Sequence, residues 1–191
     1  MNEILLGTRD LTKQFGRQKA VDRVSLHIRK GAIYGFIGRN GAGKTTFLRM
    51  ISGLAKPDSG EIEMFGYRGK ELKEIRSRVG CLIEGPGIYG SMTAAENLEV
   101  KCRLTGIRRK GYVEELLQIV GLSQTGRKKA KHFSMGMRQR LGIALALVGE
   151  PDLLVLDEPI NGLDPQGIAE IRDMVLRLNE ERNMTMIISS H

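Results

Sequence analysis

A glycine-rich run of eight residues carries the strongest chemical signal in this sequence. Residues 38–45, called here the P-loop, read Gly-Arg-Asn-Gly-Ala-Gly-Lys-Thr, which is the phosphate-binding spacing G-x-x-x-x-G-K-[ST]. The glycines allow the backbone to wrap a phosphate, and consecutive N–H groups form a nest for the anion at a helix N-terminus. Lys44 supplies a positive charge for the β- and γ-phosphates, and the Thr45 hydroxyl is a hard oxygen ligand suited to Mg²⁺.

Two adjacent carboxylates, Asp157 and Glu158, follow the apolar run of residues 153–156. In a parallel sheet, ligands bind beyond the carboxyl ends of the strands. There Asp157 can hold Mg²⁺ through water, while Glu158 can orient or deprotonate an attacking water molecule. Without the P-loop, the same residues would equally fit a strand that runs into a polar loop.

A third segment, residues 133–140, precedes an apolar helical stripe. Ser134 is predicted to cap the helix, and Gly136 would let a backbone N–H group approach a ligand closely. A helix N-terminus is a second phosphate-binding device, although a plain capped helix explains this segment when it is considered alone.

Apolar patterning predicts the strands that position these motifs. Continuous apolar runs at residues 33–37, 153–156 and 186–188 indicate buried parallel strands. Residues 4–28 alternate between apolar and polar side chains, which indicates antiparallel strands.

Helical periodicity appears between these strands, at residues 113–120, 141–148 and 168–178, with Asp164 as the predicted N-cap and Pro165 as the first residue of the last helix. The fold class is therefore predicted as α/β, with a mostly parallel sheet covered on both faces and an antiparallel β part at the N-terminus. Residues 92–134 contain helical patterns without a convincing strand and are predicted to form an inserted helical subdomain.

Composition excludes several classes of protein. The net charge is +8, with 41% hydrophobic and 27% charged residues, which argues against wholesale disorder. Cys81 and Cys102 do not have the number or spacing of a disulfide scaffold or a zinc module. Aromatic residues make up only 5% and Trp is absent, so the basic clusters lack the stacking partners of a nucleic-acid surface. The apolar run at residues 141–148 is far shorter than the roughly 20 residues of a membrane span, and the sequence is typical of a cytosolic protein.

Five motifs in this order resemble the ATP-binding subunit of an ABC transporter over the whole chain. Residues 38–45 match its Walker A motif and residues 153–158 match its Walker B motif. The signature segment (residues 134–139) resembles the family signature, residues 161–165 match the D-loop, and His191 falls at the switch histidine. The resemblance implies a P-loop NTPase core with an inserted helical subdomain, and a subunit that hydrolyses ATP to drive transport.

The resemblance also implies the cofactors, ATP and Mg²⁺, and the roles of individual residues. Glu158, His191 and Glu84 would be catalytic, and Thr45, Glu84 and Asp157 would be the metal ligands. The implied ATP-binding residues are Phe15, as the aromatic ring on adenine, with Gly38, Arg39, Asn40, Gly41, Ala42, Gly43, Lys44, Thr45 and Thr46.

The partners implied by the family are transmembrane permease subunits and a second ATPase subunit, identical or related, paired head to tail around two ATP molecules. Ser134, Met135, Gly136 and Met137 would contact the ATP of the other subunit, and Asp164 would couple the two sites. No direct contact with nucleic acid is expected, and the expected location is the cytoplasmic face of the cell membrane.

Two departures from the family pattern are informative. Glu84 stands where most relatives carry a glutamine, and residues 82–98 resemble exporters of bacitracin and lantibiotic-type peptides, in which this glutamate is usual. A generic exporter with a tolerated substitution is the rival interpretation. Met135 and Met137 replace a glycine and a polar residue of the signature, whereas Gly136 is retained.

The family resemblance predicts one ABC ATPase domain over residues 1–191, truncated at its C-terminus because family domains continue for several tens of residues. Residues 1–91 and 135–191 would form the ATP-binding core and residues 92–134 the helical subdomain. The alternative function is a soluble ABC ATPase that acts on nucleic acid or the ribosome. It is disfavoured because residues 84–134 contain no long coiled coil and only one cassette is present. A P-loop kinase or GTPase would have no use for the signature segment.

Overall fold

A computed structural model describes residues 3–191, which form two four-stranded sheets and five α-helices. The strands are β1 (Ile4–Phe15), β2 (Gln18–Arg29), β3 (Ile33–Ile37), β4 (Ser59–Met64), β5 (Tyr67–Arg68), β6 (Val79–Leu82), β7 (Leu153–Leu156) and β8 (Thr185–Ser190). The helices are α1 (Lys44–Ile51), α2 (Ala94–Leu104), α3 (Tyr112–Ile119), α4 (Met135–Leu147) and α5 (Pro165–Arg182).

The first sheet is antiparallel and has the strand order β2-β1-β4-β5. The predicted antiparallel pairing of residues 4–28 is confirmed, since β1 pairs with β2 along most of its length. Strand β4 was not predicted from the sequence. Its buried Ile62 and Met64 alternate with the glutamates Glu61 and Glu63, so the signal of a half-buried strand was present but short.

The second sheet is entirely parallel, with the order β3-β8-β7-β6. Leu154 and Leu156 of β7 pack into one hydrophobic cluster, while Leu153 and Val155 pack into the other. Because successive side chains of a strand point to opposite faces, the sheet is covered on both faces at its centre, as predicted. The short strand β6, with Gly80 in its middle, was not predicted.

The prediction that β3 is a buried strand is wrong. Ile33, Tyr34 and Ile37 are 38%, 37% and 79% exposed in the described part of the chain. Among the residues that the structure describes, β3 lies at the edge of the parallel sheet and pairs only with β8, so fewer neighbours cover its side chains. An apolar run alone does not distinguish an edge strand from a central one.

The predicted helix starts are confirmed. The N-cap Ser134 accepts a hydrogen bond from the N–H of Met137, and Asp164 caps α5, whose first residue is Pro165. Residues 92–134 contain α2, α3 and short 3₁₀ turns, with one isolated β-bridge between Thr93 and Lys129. The division into a core and a helical subdomain stays a prediction. Within residues 3–191, none of the helices has both the length and the apolarity that crossing a membrane requires.

Candidate functional site

The P-loop connects the edge strand β3 to helix α1, which begins at Lys44. Gly43 has a φ of +86°, and a Cβ atom there would lie 1.9 Å from the carbonyl oxygen of Ala20. Only glycine allows the loop to pass this close to β2. Gly43 is also the N-cap of α1 and provides no side-chain cap, so the N-terminus of α1 is suited to bind an anion. The cleft at this point has a volume of about 190 Å³ and is lined by residues 40–46, Ala20 and Glu158.

Lys44 is buried within this cleft, with 6% of its surface exposed. Its Nζ atom donates hydrogen bonds to the carbonyl oxygens of Gly38 and Arg39, at 2.5 and 3.2 Å, and lies 3.4 Å from Oε1 of Glu158. Protein oxygens therefore balance the buried ammonium, and a phosphate group would compete with Glu158 for it.

Asp157 lies where β7 ends, and two hydroxyl groups hold its carboxylate. Thr45 donates a hydrogen bond to Oδ2 at 2.7 Å, and Ser189 of β8 donates one to Oδ1 at 2.6 Å. The predicted meeting of Thr45 and Asp157 is thus observed. A carboxylate beside a hydroxyl at a phosphate-binding loop fits Mg²⁺, which binds through one or two protein oxygens together with substrate phosphates.

Glu158 joins the P-loop to His191. While Oε1 faces Lys44, Oε2 lies 2.8 Å from Nε2 of His191 and accepts a hydrogen bond from Nδ2 of Asn161 at 3.3 Å. Its backbone is in the left-handed region, at a φ of +49°, and its N–H group donates to Oγ of Ser189 at 2.8 Å. The structure therefore brings Lys44, Glu158 and His191 together, and the catalytic roles of Glu158 and His191 stay predictions.

Glu84, the predicted third catalytic residue, forms an ion pair with Arg49 of α1. The hydrogen bond to this carboxylate raises the pKa of the Arg49 guanidinium above its ordinary value. The contact of Glu84 with Mg²⁺ and the attacking water stays a prediction. In the structure, the partner of Glu84 is the Arg49 cation on α1.

The signature segment lies against the D-loop of the same chain. A Cβ atom at Gly162 would lie 2.9 Å from Sδ of Met135, and one at Gly136 would lie 3.9 Å from Leu163. Met135 is more than half exposed, and Asp164 accepts a hydrogen bond from the N–H of Gly167 at 3.1 Å. These residues form one surface, and their contact with a second ATP site stays a prediction.

Phe15 lies at the end of β1 with about half of its surface exposed and with Nζ of Lys13 5.6 Å from the ring centre. An exposed ring is free to stack on a base, and this role also stays a prediction. Arg49 and Ser189 were not predicted as site residues, and Asn161 was indicated only as part of the D-loop. The signal for Ser189 was a polar residue directly after the apolar run 186–188.

Comparison with known proteins leads to the same family. A family model described as ABC transporter matches residues 21–161 of the chain. The chain belongs to the ABC transporter family. It resembles the bacitracin transport ATP-binding protein BcrA of Bacillus licheniformis, with 52% identity over 98% of this chain and 61% of that protein. It also resembles the lantibiotic transport ATP-binding protein SrtF of Streptococcus pyogenes, with 40% identity over 98% of this chain and 80% of that protein.

A solved structure of an ABC cassette has the same fold. A dimeric ATP-binding cassette in a post-hydrolysis state, bound to ADP and Pi, superimposes with a TM-score of 0.84 at 27% identity, over 98% of this chain and 88% of the cassette. The predicted ABC ATPase fold is therefore confirmed. The chain spans about three fifths (61%) of the length of the Bacillus licheniformis relative.

Proposed function

We propose that this chain is the ATP-binding and ATP-hydrolysing part of an ABC transporter that exports antimicrobial peptides or other drugs. The observation that carries this proposal is the Glu158 carboxylate, which faces both the P-loop Lys44 and His191. The relatives named for bacitracin and lantibiotic transport support an export function and the drug-like class of cargo.

ATP would bind with its phosphates in the cleft at the N-terminus of α1. The N–H groups of residues 38–46 would hold the β- and γ-phosphates. The Lys44 ammonium would leave Glu158 and form its ion pair with a phosphate oxygen instead. Phe15 would stack on the adenine ring from the end of β1.

Thr45 and Asp157 would hold Mg²⁺ beside the phosphates, and Glu84 is the third proposed ligand. When bound, the ion neutralises the charge of the phosphate oxygens. The residues of this chain supply the rest of the chemistry.

Glu158, released from Lys44 by the phosphate, would orient the attacking water molecule and accept its proton. His191 would hold the Glu158 carboxylate through its present 2.8 Å contact and reach the γ-phosphate. Asn161 would restrict the same carboxylate from the D-loop side.

The assembly proposed for hydrolysis contains two such subunits, arranged head to tail. The second site would be closed by Ser134, Met135, Gly136 and Met137, and the adjoining Asp164 would couple the two sites. The dimeric cassette with ADP and Pi supports this arrangement. Within each subunit we propose a core of residues 1–91 and 135–191 and a helical subdomain of residues 92–134. Permease subunits would hold the chain at the cytoplasmic face of the cell membrane.

The test uses the full-length subunit, purified alone and together with its co-purifying partners. Lys44→Ala should weaken ATP binding, whereas Glu158→Gln should bind ATP, form a stable dimer and lose about 10²–10⁴-fold in hydrolysis rate, the range for loss of a general base. Glu181→Gln, an exposed glutamate on α5, serves as the matched control and should hydrolyse ATP at the wild-type rate.

Two results would contradict the proposal. If Glu158→Gln hydrolysed ATP at the wild-type rate, Glu158 would not be the catalytic base. Co-purification of RNA or ribosomal proteins, without a membrane protein of many spans, would overturn the transport function while leaving the ATPase site intact.

A further inference from the structure

We propose that Ser189 is a positioning residue for ATP hydrolysis, which fixes the Asp157 carboxylate and the backbone of Glu158 through one buried hydroxyl group. This inference rests on the proposed function. Ser189 lies on β8, between β3 and β7, and its side chain is fully buried.

Ser189 connects the two acidic residues by two hydrogen bonds. Its hydroxyl donates to Oδ1 of Asp157 at 2.6 Å and accepts from the N–H of Glu158 at 2.8 Å. With Thr45 on Oδ2, both oxygens of Asp157 accept hydrogen bonds from hydroxyl groups, so the carboxylate cannot rotate without breaking one of them. A metal ligand held in this way is already oriented before the ion binds.

The second bond of Ser189 acts on the main chain. Glu158 has a φ of +49°, a conformation that residues other than glycine rarely adopt. From this turn after β7, its side chain faces Lys44 and His191. The hydrogen bond to Ser189 satisfies the N–H group of this turn and so stabilises it.

The environment of Ser189 indicates that its hydroxyl group is present for its hydrogen bonds rather than for packing. Two residues earlier on the same face of β8, Ile187 belongs to a hydrophobic cluster with Val155 and Phe47. A residue needed only for packing at this point would be apolar, because a buried hydroxyl is tolerated only when it is hydrogen-bonded. Both partners of Ser189 are residues proposed to act on the metal ion or the water.

The test compares Ser189→Ala with Ser190→Ala in the full-length subunit. Ser190 is the neighbouring residue of the same type, and its side chain points to the opposite face of β8. Three measurements are made: the Kd for ATP in EDTA, the Mg²⁺ concentration that half-saturates the increase in ATP affinity, and the steady-state kinetics of hydrolysis, which give kcat and KM.

For Ser189→Ala we expect an unchanged Kd in EDTA, a half-saturating Mg²⁺ concentration raised by about tenfold, and kcat lowered by about 10–100-fold. The KM for MgATP should rise by about the same factor as the half-saturating Mg²⁺ concentration, because the two affinities are thermodynamically linked when ATP binding in EDTA is unchanged. Ser190→Ala should behave as the wild type in all three measurements. A purely structural loss would lower the urea midpoint and the active fraction without altering the Mg²⁺ requirement.

A wild-type Mg²⁺ requirement and kcat in folded Ser189→Ala would overturn the inference. If the alanine variant does not fold, Ser189→Cys has nearly the same size with a weaker donor and acceptor, and a wild-type Mg²⁺ requirement there would equally overturn it. Failure of the proposed function is distinguishable, since it would appear as absent hydrolysis in the wild type or full hydrolysis in Glu158→Gln.

Discussion

Arg49, in the helix that follows the P-loop, forms an ion pair with Glu84, two residues after the end of β6. The pair joins the phosphate-binding helix to the segment that leads into α2. Arg49 also lies within the electrostatic influence of Asp157, which contributes to its raised pKa. A glutamine at position 84 would keep an oxygen acceptor for Arg49 but would remove the charge.

We therefore predict that Glu84→Gln keeps ATP binding and changes the rate of hydrolysis or its coupling to transport. Arg49→Met should alter the same rate of hydrolysis or the same coupling. The effect of the double variant should differ from the sum of the two single effects, because the two residues share one contact. Hydrolysis and transport assays on the reconstituted complex measure both effects. If Glu84→Gln left both rates at the wild-type level, or if the two changes were additive, the pair would have no functional role.

Gly43→Ala should reduce both stability and ATP binding. The new Cβ atom would collide with the Ala20 carbonyl at 1.9 Å and would force a residue with a side chain into a φ of +86°. Gly66→Ala is the matched control, because Gly66 has a similar φ of +82° and no atom of residues 3–191 lies within 4 Å of the added Cβ.

We expect Gly66→Ala to lose about 1–2 kcal/mol of unfolding free energy from backbone strain and to bind ATP normally. Gly43→Ala should lose more stability and weaken ATP binding by at least about tenfold, as measured by urea unfolding and by titration with a fluorescent ATP analogue. Equal behaviour of the two variants would show that contact with β2 does not hold the P-loop.

Asn97→Ala should destabilise the protein because Asn97 fixes the turn before α2. Its buried side chain accepts a hydrogen bond from the N–H of Tyr89 and donates to the carbonyl oxygens of Tyr89 and Thr93. Loss of three buried hydrogen bonds is expected to cost about 2–4 kcal/mol in urea unfolding. The exposed Gln118→Ala on α3 should stay within about 0.5 kcal/mol of the wild type, and a similar value for Asn97→Ala would refute the prediction.

The N-terminus of α2 should make stability depend on pH at the acidic end. The hydrogen bond from the N–H of Thr93 is the main cause that lowers the pKa of Glu96 below its ordinary value. The Lys129 ammonium lowers this pKa further. This stabilisation is fully present above the unfolded pKa of about 4.3 and is lost as the pH falls through the lower folded value.

Glu96→Gln should therefore be less stable than the wild type at pH 7, and the difference should shrink as the pH falls below about 4. Urea unfolding across this range measures it, with Glu181→Gln on α5 as a control that should show no such trend. A difference between the Glu96 variant and the wild type that stays constant with pH would contradict the assigned cause.

Features that depend on neighbouring residues were predictable from the sequence. The P-loop, the acidic pair after β7 and the caps at Ser134 and Asp164 each depend on a few consecutive residues, whose types determine the local backbone and chemistry. The meeting of Thr45 with Asp157 also followed from sequence, because the motif order resembled a known family.

Only the tertiary structure decided the contacts between residues far apart in the chain. Ser189 reaches Asp157 across 32 positions because β8 lies beside β7, an arrangement that no local pattern encodes. The exposure of β3 follows in the same way from its place at the edge of the sheet, and the Arg49–Glu84 pair follows from the packing of α1 near the end of β6. Strand order and helix packing depend on how the whole chain buries its apolar surface, which is why these relationships become visible only in the folded protein.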